Sequence, residues 1–378
     1  WSSDVCSSDL NGMLTTLDPY SVFIPPQKYR DFQDQTQGEL HGIGIQIEYD
    51  RQADTLTVMS PIDDSPAHLA GVRPGDVVVA VNGADIKGLS IDDVTNMIKG
   101  PAGTTVTLTL RRANLEQPLD IAITRAVINV PQVKGWIRRP DGQWDFMIDD
   151  AARIGYIRIT NFTPATAAQT RQAIDQLQTQ AMAGLIIDLR NNPGGLLTSA
   201  TELADLFLND GLIVETRGRR QPREQFMAKP EGTLDPFPMA VVVNQYSASA
   251  AEILAGALRD HKRATIVGQR TFGKGSVQNV IEMESHDCAV KLTTAHYYLP
   301  GGECIHRTPE AEKTGQWGVQ PDAVVEMTDE ELIELDRRRQ RLDALHAPPV
   351  SASSPTQATQ TPRSEEPTSE LQSPNTIS

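Results

Sequence analysis

MAVVVNQYSASAAEILAGALRDHKRATIVGQ, residues 239–269, contains a complete strand–loop–helix–strand unit and decides the fold class. The apolar run at 239–243 has the length of a buried strand, and AAEILAGALRDH (250–261) has the apolar spacing of a helix. ATIVGQ (264–269) predicts the next strand. Apolar strands that alternate with amphipathic helices indicate βαβ units around a mainly parallel sheet.

The same pattern extends upstream and predicts an α/β core over residues 127–346. Its further predicted strands are GYIRI (155–159), GLIIDLR (184–190) and GLIVETR (211–217), and its further predicted helices begin at Thr163-Pro164 and at LLTSATELADLFL (196–208). NNPGG (191–195) and QYSAS (245–249) each come directly after a strand. Sites in such sheets lie just past the carboxyl ends of strands, so these two loops are candidates.

Length and charge limit the classes of function. The chain has 378 residues, enough for two or three domains, and its net charge of −15 argues against nucleic acid as a partner. Because it contains no run of eighteen apolar residues, we predict no transmembrane helix. It begins with Trp1, so the lack of a visible signal peptide carries little weight.

The remaining chain divides by composition. Residues 11–38 are predicted to be a short helical lead-in, and residues 39–126 are rich in short β-prone runs with two helical stretches, SPAHLAG and IDDVTNMIKG. That combination indicates a compact β-rich module. Residues 329–346 predict a charged helix that ends the core, and the Pro/Ser/Thr/Gln-rich stretch 347–362 predicts a disordered linker.

Both ends of the sequence look foreign to the protein. Residues 1–10 (WSSDVCSSDL) and 363–378, which include RSEEPTSELQS, lack periodic apolar faces. Back-translated, they resemble the two strands of a sequencing-adapter oligonucleotide, so we expect both to be artefacts; two disordered tails are the alternative. The DNA that encodes the ends tests this expectation, since an absence of adapter sequence there would contradict it.

Ser249 is the strongest candidate nucleophile. With Glu252 it fits a capping box, so a helix cap is the alternative reading. A serine at a helix start can also attack a carbonyl, while the N–H of Ala250 stabilises the oxyanion. Lys274, between two glycines, can act as its base if burial keeps the amine neutral, and Gln278 can orient that amine without adding charge.

NNPGG supplies a second oxyanion donor, the N–H of Gly195 or, as a weaker candidate, of Gly194. A tight strand-to-helix turn is the alternative reading. A Ser–His–Asp triad can also be drawn, from Asp188 and one of three histidines, His261, His296 and His306.

The sequence gives no sign of a metal site and leaves disulfide formation open. Cys288 and Cys304 match no zinc spacing and are either a disulfide or two free thiols, and no metal motif is present.

The β-rich module has a candidate peptide-binding loop in HGIGI, formed by His41, Gly42, Ile43, Gly44 and Ile45. Successive backbone N–H groups in such a loop can bind a terminal carboxylate, and a peptide then adds as a strand beside it. A glycine-softened strand start is the alternative reading.

These motifs together resemble the carboxy-terminal processing proteases, also called tail-specific proteases. SPAHLAGVRPGDVVVAVNG (65–83) resembles part of a PDZ domain, and LDPYS (17–21) resembles the motif upstream of it. The core motifs follow in family order, from GYIRITNF to GVQPDAVV, and the whole resemblance covers about residues 11–326. Ala251 stands where the family often has a third serine, and Tyr246 where it often has glycine.

The resemblance implies a crotonase/ClpP-like βαβ core with a β-rich PDZ domain at residues 39–126 that is either inserted into the core or precedes it. It implies Ser249 as nucleophile, Lys274 as base, Gln278 as supporting amide, and Gly195 and Ala250 as oxyanion donors. It implies no cofactor, no metal and no ATP. The partners it implies are protein substrates with exposed C-termini, outside the cytoplasm, with a homo-oligomer or an adaptor protein left open.

Two other functions fit the same fold. A PDZ adaptor on an inactive protease core would keep the peptide-binding loop without using Ser249. A crotonase-type acyl-CoA enzyme would share the core but has no reason to carry a PDZ module. A serine-reactive probe discriminates the first from a protease, and CoA binding identifies the second.

Overall fold

A computed structural model of the chain describes residues 3–50, 53–62, 64–139, 142–219, 222–283 and 287–343. The predicted linker (347–362) and the predicted foreign tail (363–378) lie outside the described residues. Within the described ranges, no helix combines the length and the apolar character that a membrane span requires.

The predicted helical lead-in is two helices with a short strand between them. They are α1 (Ser3–Leu14), β1 (Val22–Ile24) and α2 (Pro26–Gln37). α1 begins inside residues 1–10, so no structural boundary coincides with the predicted one at residue 11. α2 starts with proline in its first turn and ends at Gly38, whose left-handed conformation closes the helix.

The β-rich module contains both predicted helices and a sheet of short strands. Its elements are β2 (Glu39–Gly42), β3 (Ile45–Asp50), β4 (Thr55–Pro61), α3 (Pro66–Leu69), β5 (Val77–Val81), β6 (Ala84–Asp85), α4 (Ile91–Ile98), β7 (Thr105–Arg111), β8 (Leu119–Thr124) and β9 (Ala126–Asn129). The sheet has the antiparallel order β3-β4-β5-β7-β8, which leaves β3 at an edge. β2 pairs with β9, so the entry and exit segments of the module are joined.

The remaining elements form the core and the C-terminal helix. They are β10 (Val133–Lys134), β11 (Ile137–Arg138), β12 (Trp144–Asp145), β13 (Met147–Asp149), β14 (Ile154–Ile159), α5 (Thr166–Thr179), β15 (Gly184–Asp188), α6 (Leu197–Asp205), β16 (Leu212–Gly218), β17 (Glu224–Met227), β18 (Met239–Val243), α7 (Ala250–Asp260), β19 (Thr265–Gly268), β20 (Ser276–Met283), β21 (Cys288–Tyr298), α8 (Pro309–Thr314), β22 (Ala323–Val324) and α9 (Asp329–Asp343).

The parallel sheet is present as predicted. β14, β15, β18, β19 and β22 are parallel neighbours in that order. α7 is buried on all sides in its first nine residues, which explains why its sequence is rich in alanine and leucine. Both candidate loops lie at the carboxyl edge of this sheet, after β15 and β18.

The prediction for GLIVETR was wrong in one respect. Its strand, β16, does not join the parallel sheet but pairs antiparallel with β17 and β21 in a second sheet. Local apolar periodicity identifies a strand but cannot say which sheet it joins, and the partner β21 lies about eighty residues downstream. The second sheet also takes β1 and β20 as neighbours of β21.

The C-terminal helix α9 is anchored through a buried carboxylate. Asp188, fully buried, accepts hydrogen bonds from Arg190 (2.6 Å), Arg339 of α9 (2.7 Å) and the Tyr156 hydroxyl (2.6 Å). Burial alone would raise the pKa of Asp188, but the two guanidinium groups hold that pKa well below its ordinary value. The helix therefore closes a charge network directly before the NNPGG loop.

We predict that Arg339→Leu lowers the free energy of unfolding by about 2–3 kcal/mol, because it removes one of two cations from a buried carboxylate. Arg341→Leu is the matched control on the same helix. Its ion pair with Glu334 is exposed, at 64% and 62% of the side-chain surface, so we expect a change within about 0.5 kcal/mol. Urea unfolding measures both, and equal losses would contradict the assignment of the anchor to Asp188.

Candidate active site

Ser249 precedes α7 in a strained conformation. Its backbone has φ 55° and ψ −116°, a region that non-glycine residues rarely occupy, and the residue is only 7% exposed. Strain of this kind costs about 1–3 kcal/mol and is concentrated at functional sites. Ser247 is fully buried, and its hydroxyl donates to the carbonyl of Leu189 at 2.8 Å, so it fixes the loop.

Glu252 joins the serine loop to the lysine turn. Its carboxylate is fully buried, and its Oε2 accepts the N–H of Ser249 and the N–H of Lys274, each at 2.8 Å. Its Oε1 accepts the N–H of Gly273 at 2.7 Å and the hydroxyl of Thr271. Two segments that are 25 residues apart in sequence are thus held on one side chain.

Glu252 makes the hydrogen bond that the predicted capping box requires, and it makes further hydrogen bonds as well. The bond to the N–H of Ser249 is present, but the same carboxylate also holds the lysine turn, which a helix cap does not require. Burial raises the pKa of Glu252, and its four donors oppose that rise.

Of the two glycines in NNPGG, Gly194 lies against Ser249 and Ala250. Gly194 has φ 107°, and a Cβ built on it would be 2.7 Å from Ser249 Cβ and 3.0 Å from Ala250 N, so only glycine fits. The N–H of Gly194 donates to Asn192 Oδ1 at 2.8 Å. Among the described residues, neither the N–H of Gly195 nor that of Ala250 has a protein acceptor. Gly195 rather than Gly194 is therefore free to bind an oxyanion.

The side chain of Lys274 lies partly buried against Tyr20. Its Nζ is 5.3 Å from the centre of the Tyr20 ring, and no hydrogen bond to Ser249 Oγ is present within the described ranges. Burial lowers the pKa of Lys274, the charge of Lys291 lowers it further, and the charge of Glu252 opposes both. The direction of this change is the one that a role as base requires, and the side chain of the neighbouring Phe272 is exposed.

Gln278 reaches the lysine turn indirectly. Its amide donates to Ser276 Oγ at 2.7 Å and to Thr293 Oγ1 at 3.4 Å, rather than to Lys274 as expected. Thr293 in turn donates to Asp18 Oδ1 at 2.9 Å. The amide is thus part of a polar network beside the lysine turn and makes no direct contact with the amine.

Tyr297 was missed by the sequence reasoning. It is buried on β21 beside Ser249, and burial raises the pKa of its phenol to about 12, while the nearby Ser249 hydroxyl lowers it slightly. Only the end of the strand alternates, with Ala295 and Tyr297 buried and His296 and Tyr298 half-buried, so its sequence gave little signal.

The long loop after β21 supports the lysine turn. Trp317 lies between two guanidinium groups, with its ring centre 4.9 Å from Arg270 and 4.5 Å from Arg307. The N–H of Arg307 donates to the carbonyl of Gly273 at 2.9 Å. This loop therefore fixes the backbone next to Lys274 from the side opposite Glu252.

The residues of the alternative Ser–His–Asp triad do not meet at Ser249 in the described part of the chain. His261 Nε2 lies 2.7 Å from the carbonyl of Leu212, and Asp188 is taken by arginines, so no triad forms with Ser249. His296 and His306 pack against each other with ring centres 4.7 Å apart.

Two further alternatives were disulfide and metal chemistry. Cys288 and Cys304 are both free thiols. In the part of the chain that the structure describes, no group of three His, Cys, Asp or Glu side chains could hold a metal ion.

The five residues predicted to bind a peptide end divide between two strands and a short connection. His41 and Gly42 pair with β9, and Ile45 already belongs to edge strand β3, which leaves Ile43 and Gly44 as the loop. The carbonyl oxygen of Ile43 accepts a hydrogen bond from the N–H of Ala67. The carbonyl oxygen of Gly44 accepts hydrogen bonds from the N–H of Ile62 and the hydroxyl of Ser65. Their N–H groups have no acceptor among the described residues.

Comparisons with known proteins identify a domain family for the core and another for the β-rich module. The family model of peptidase family S41 matches residues 153–325, and that of the PDZ domain matches residues 57–112.

Curated relatives share most of the chain's length. A carboxy-terminal-processing protease of Bartonella bacilliformis is 42% identical over 322 residues, which is 84% of this chain and 68% of the relative. A carboxyl-terminal-processing protease of Synechocystis sp. is 38% identical over 318 residues, 83% of this chain and 69% of the relative.

Solved structures show the same fold. The photosystem II D1 C-terminal processing protease has a TM-score of 0.50 and 30% identity, over 92% of this chain and 88% of its own. An S41 protease from Bacteroides fragilis has a TM-score of 0.50 at 17% identity, over 82% of this chain and 80% of its own, and supports the fold alone.

We predict that Glu252→Gln lowers the free energy of unfolding by about 3 kcal/mol. The amide NH₂ would replace one carboxylate oxygen and face two donors, which would lose their bonds to a charged acceptor. Glu231→Gln, at an exposed position, is the control and should change little. Urea unfolding would contradict the assignment if both variants matched the parent chain.

Proposed function

The chain belongs to peptidase family S41, the carboxy-terminal-processing serine proteases, and carries a PDZ domain; from this premise we propose that it cleaves proteins near their C-termini with a Ser249–Lys274 dyad. The observation that carries the proposal is the shared carboxylate of Glu252, which holds the backbone of both residues on one oxygen. A helix cap and an unrelated surface lysine would not need that link.

The reaction follows from the groups around Ser249. Neutral Lys274 takes the proton of the Ser249 hydroxyl as Oγ attacks the scissile carbonyl. The oxyanion that forms is bound by the N–H groups of Gly195 and Ala250. The lysine then gives the proton to the leaving amine, and water hydrolyses the acyl-enzyme with Lys274 again as base.

The proposal requires the lysine side chain to move. In the structure its Nζ lies against Tyr20, whereas the reaction needs it at Ser249 Oγ. The two backbone N–H groups share one acceptor oxygen, which keeps the two backbones close together, and we propose that rotation of the lysine side chain then makes the contact. Catalytic hydrogen bonds often form only when substrate binds.

We infer that the PDZ domain recruits the substrate's C-terminus. The free N–H groups of Ile43 and Gly44 suit a terminal carboxylate, and the unpaired edge of β3 suits an added peptide strand. Val94 and Ile98 of α4 are buried in the core of the same module. The supported substrate class is therefore a protein with an extended, free C-terminal tail.

Three further features remain proposals. We propose a crotonase/ClpP-like class for the core, an extracytoplasmic and in bacteria periplasmic location, and either a homo-oligomer or an adaptor as partner. Sedimentation and cell fractionation test the last two. The rival function, a non-catalytic PDZ adaptor, is disfavoured because an adaptor would need neither a strained Ser249 nor N–H groups at Gly195 and Ala250 that have no acceptor among the described residues.

Ser249→Ala and Lys274→Ala are each expected to reduce cleavage of an unfolded protein at least 1,000-fold, because each removes a group that acts in the bond-breaking step. Lys229→Ala, an exposed lysine on the same core, is the control and should cleave normally. Timed gel or mass-spectrometric assays measure the rates. Retained cleavage in either dyad variant would exclude the mechanism.

Substrate recruitment is tested with two peptides that differ only at the C-terminus. A free carboxylate can bind the N–H groups of Ile43 and Gly44, whereas a C-terminal amide cannot bind them as an anion. We expect amidation to raise KM about 10-fold with little change in kcat, as for a contact away from the reacting atoms. Equal KM values would rule out carboxylate recruitment.

A further inference from the structure

The LDPYS segment forms a turn built around Asp18. Asp18 Oδ1 accepts the backbone N–H of Tyr20 at 2.7 Å and that of Ser21 at 2.9 Å. Such a turn fixes the direction in which Tyr20 leaves the backbone. Neither the proposed dyad nor the PDZ domain gives this segment a role.

The turn is fastened to the sheet that carries the lysine. Thr293 of β21 donates its hydroxyl to Asp18 at 2.9 Å and its N–H to Ser21 Oγ at 3.1 Å. The next strand, β1, pairs with β21 through Val22 and Lys291. A segment some 250 residues upstream of Lys274 is thus held rigidly beside it.

We propose that Tyr20 is a positioning residue for the general base, whose ring covers the Lys274 amine and keeps water from it until the side chain turns to Ser249. This inference rests on the proposed function, because it assigns Lys274 the role of base. The ring centre is 5.3 Å from Nζ, and Tyr20 is itself half-buried. The LDPYS turn is therefore part of the active site.

Two effects of the ring on the amine oppose each other. A cation–π contact favours the charged lysine by about 0.5–1 kcal/mol at an exposed site and by about 2 kcal/mol where water is excluded, and here the 5.3 Å distance is close to the outer limit of about 6 Å. Exclusion of water favours the neutral lysine, and burial is the leading cause of the lowered pKa of Lys274. At this distance we take the loss of water to be the larger effect, so that the ring favours the neutral, basic form.

The other charged groups around the amine are few. Glu252 from α7 favours the charged lysine, and Lys291 from β21 favours the neutral one. Asp18 and Arg307 lie near Tyr20 and affect its own phenol in opposite directions. None of these groups replaces the cover that the ring provides.

The test measures the titration of Lys274 without catalysis. In a Ser249→Ala background, pulses of acetic anhydride across a pH series label neutral amines, and peptide mass spectrometry gives the rate at each lysine. Tyr20→Ala should move the Lys274 midpoint to higher pH by about one unit, because water reaches the amine. Lys291, which lies over Phe32 rather than Tyr20, is the internal control and should not move.

Matched variants separate the ring from the turn. Tyr20→Phe keeps the ring and should keep the midpoint, Tyr20→Leu should give a smaller shift than alanine, and Asp18→Ala should shift it in the same direction as Tyr20→Ala. An unchanged or lower midpoint in Tyr20→Ala would overturn the proposal, as would an equal shift at Lys291 or in Tyr20→Phe. Because cleavage is not measured, failure of the protease proposal would appear separately, in the activity of the dyad variants.

Discussion

The buried carboxylate of Glu252 is the constraint on which the site depends. A charge in the core is stable only when donors surround it, and here the donors come from the serine loop and the lysine turn. Because a buried carboxylate without donors is unstable, Glu252 keeps the backbone of Ser249 and the backbone of Lys274 close together. The parallel sheet contributes by ending two strands at the same edge, where both loops meet.

The lysine is enclosed by contributions from distant parts of the chain. Glu252 holds its N–H, the loop around Trp317 supports the preceding glycine, and Tyr20 covers its amine. Each comes from a different segment, so the depressed pKa of Lys274 is a property of the assembled fold. The second sheet, through β21, is the element that brings the N-terminal turn and the core together.

Local chemistry in the sequence predicted the βαβ core and pointed to Ser249, Lys274 and Gly195 as the proposed nucleophile, base and oxyanion donor, since these signals depend on residues near one another in the chain. It could not assign β16 to a sheet, because a strand's periodicity does not name its partner. The sequence predicted only a capping role for Glu252, because its hydrogen bond to Ser249 joins residues close together in the chain. Its hydrogen bond to Lys274 joins residues that are far apart in the chain. Tyr20 and Tyr297 act across long separations that no spacing rule reveals.

The most direct measurement of the central claim is a crystal structure with a peptide boronic acid, which forms a tetrahedral adduct with an activated serine. The account predicts a bond to Ser249 Oγ, a boronate oxygen about 2.7–3.1 Å from the N–H groups of Gly195 and Ala250, and Lys274 Nζ turned from Tyr20 to the adduct. An adduct whose oxygen points away from both N–H groups, or no adduct at Ser249 at all, would contradict it.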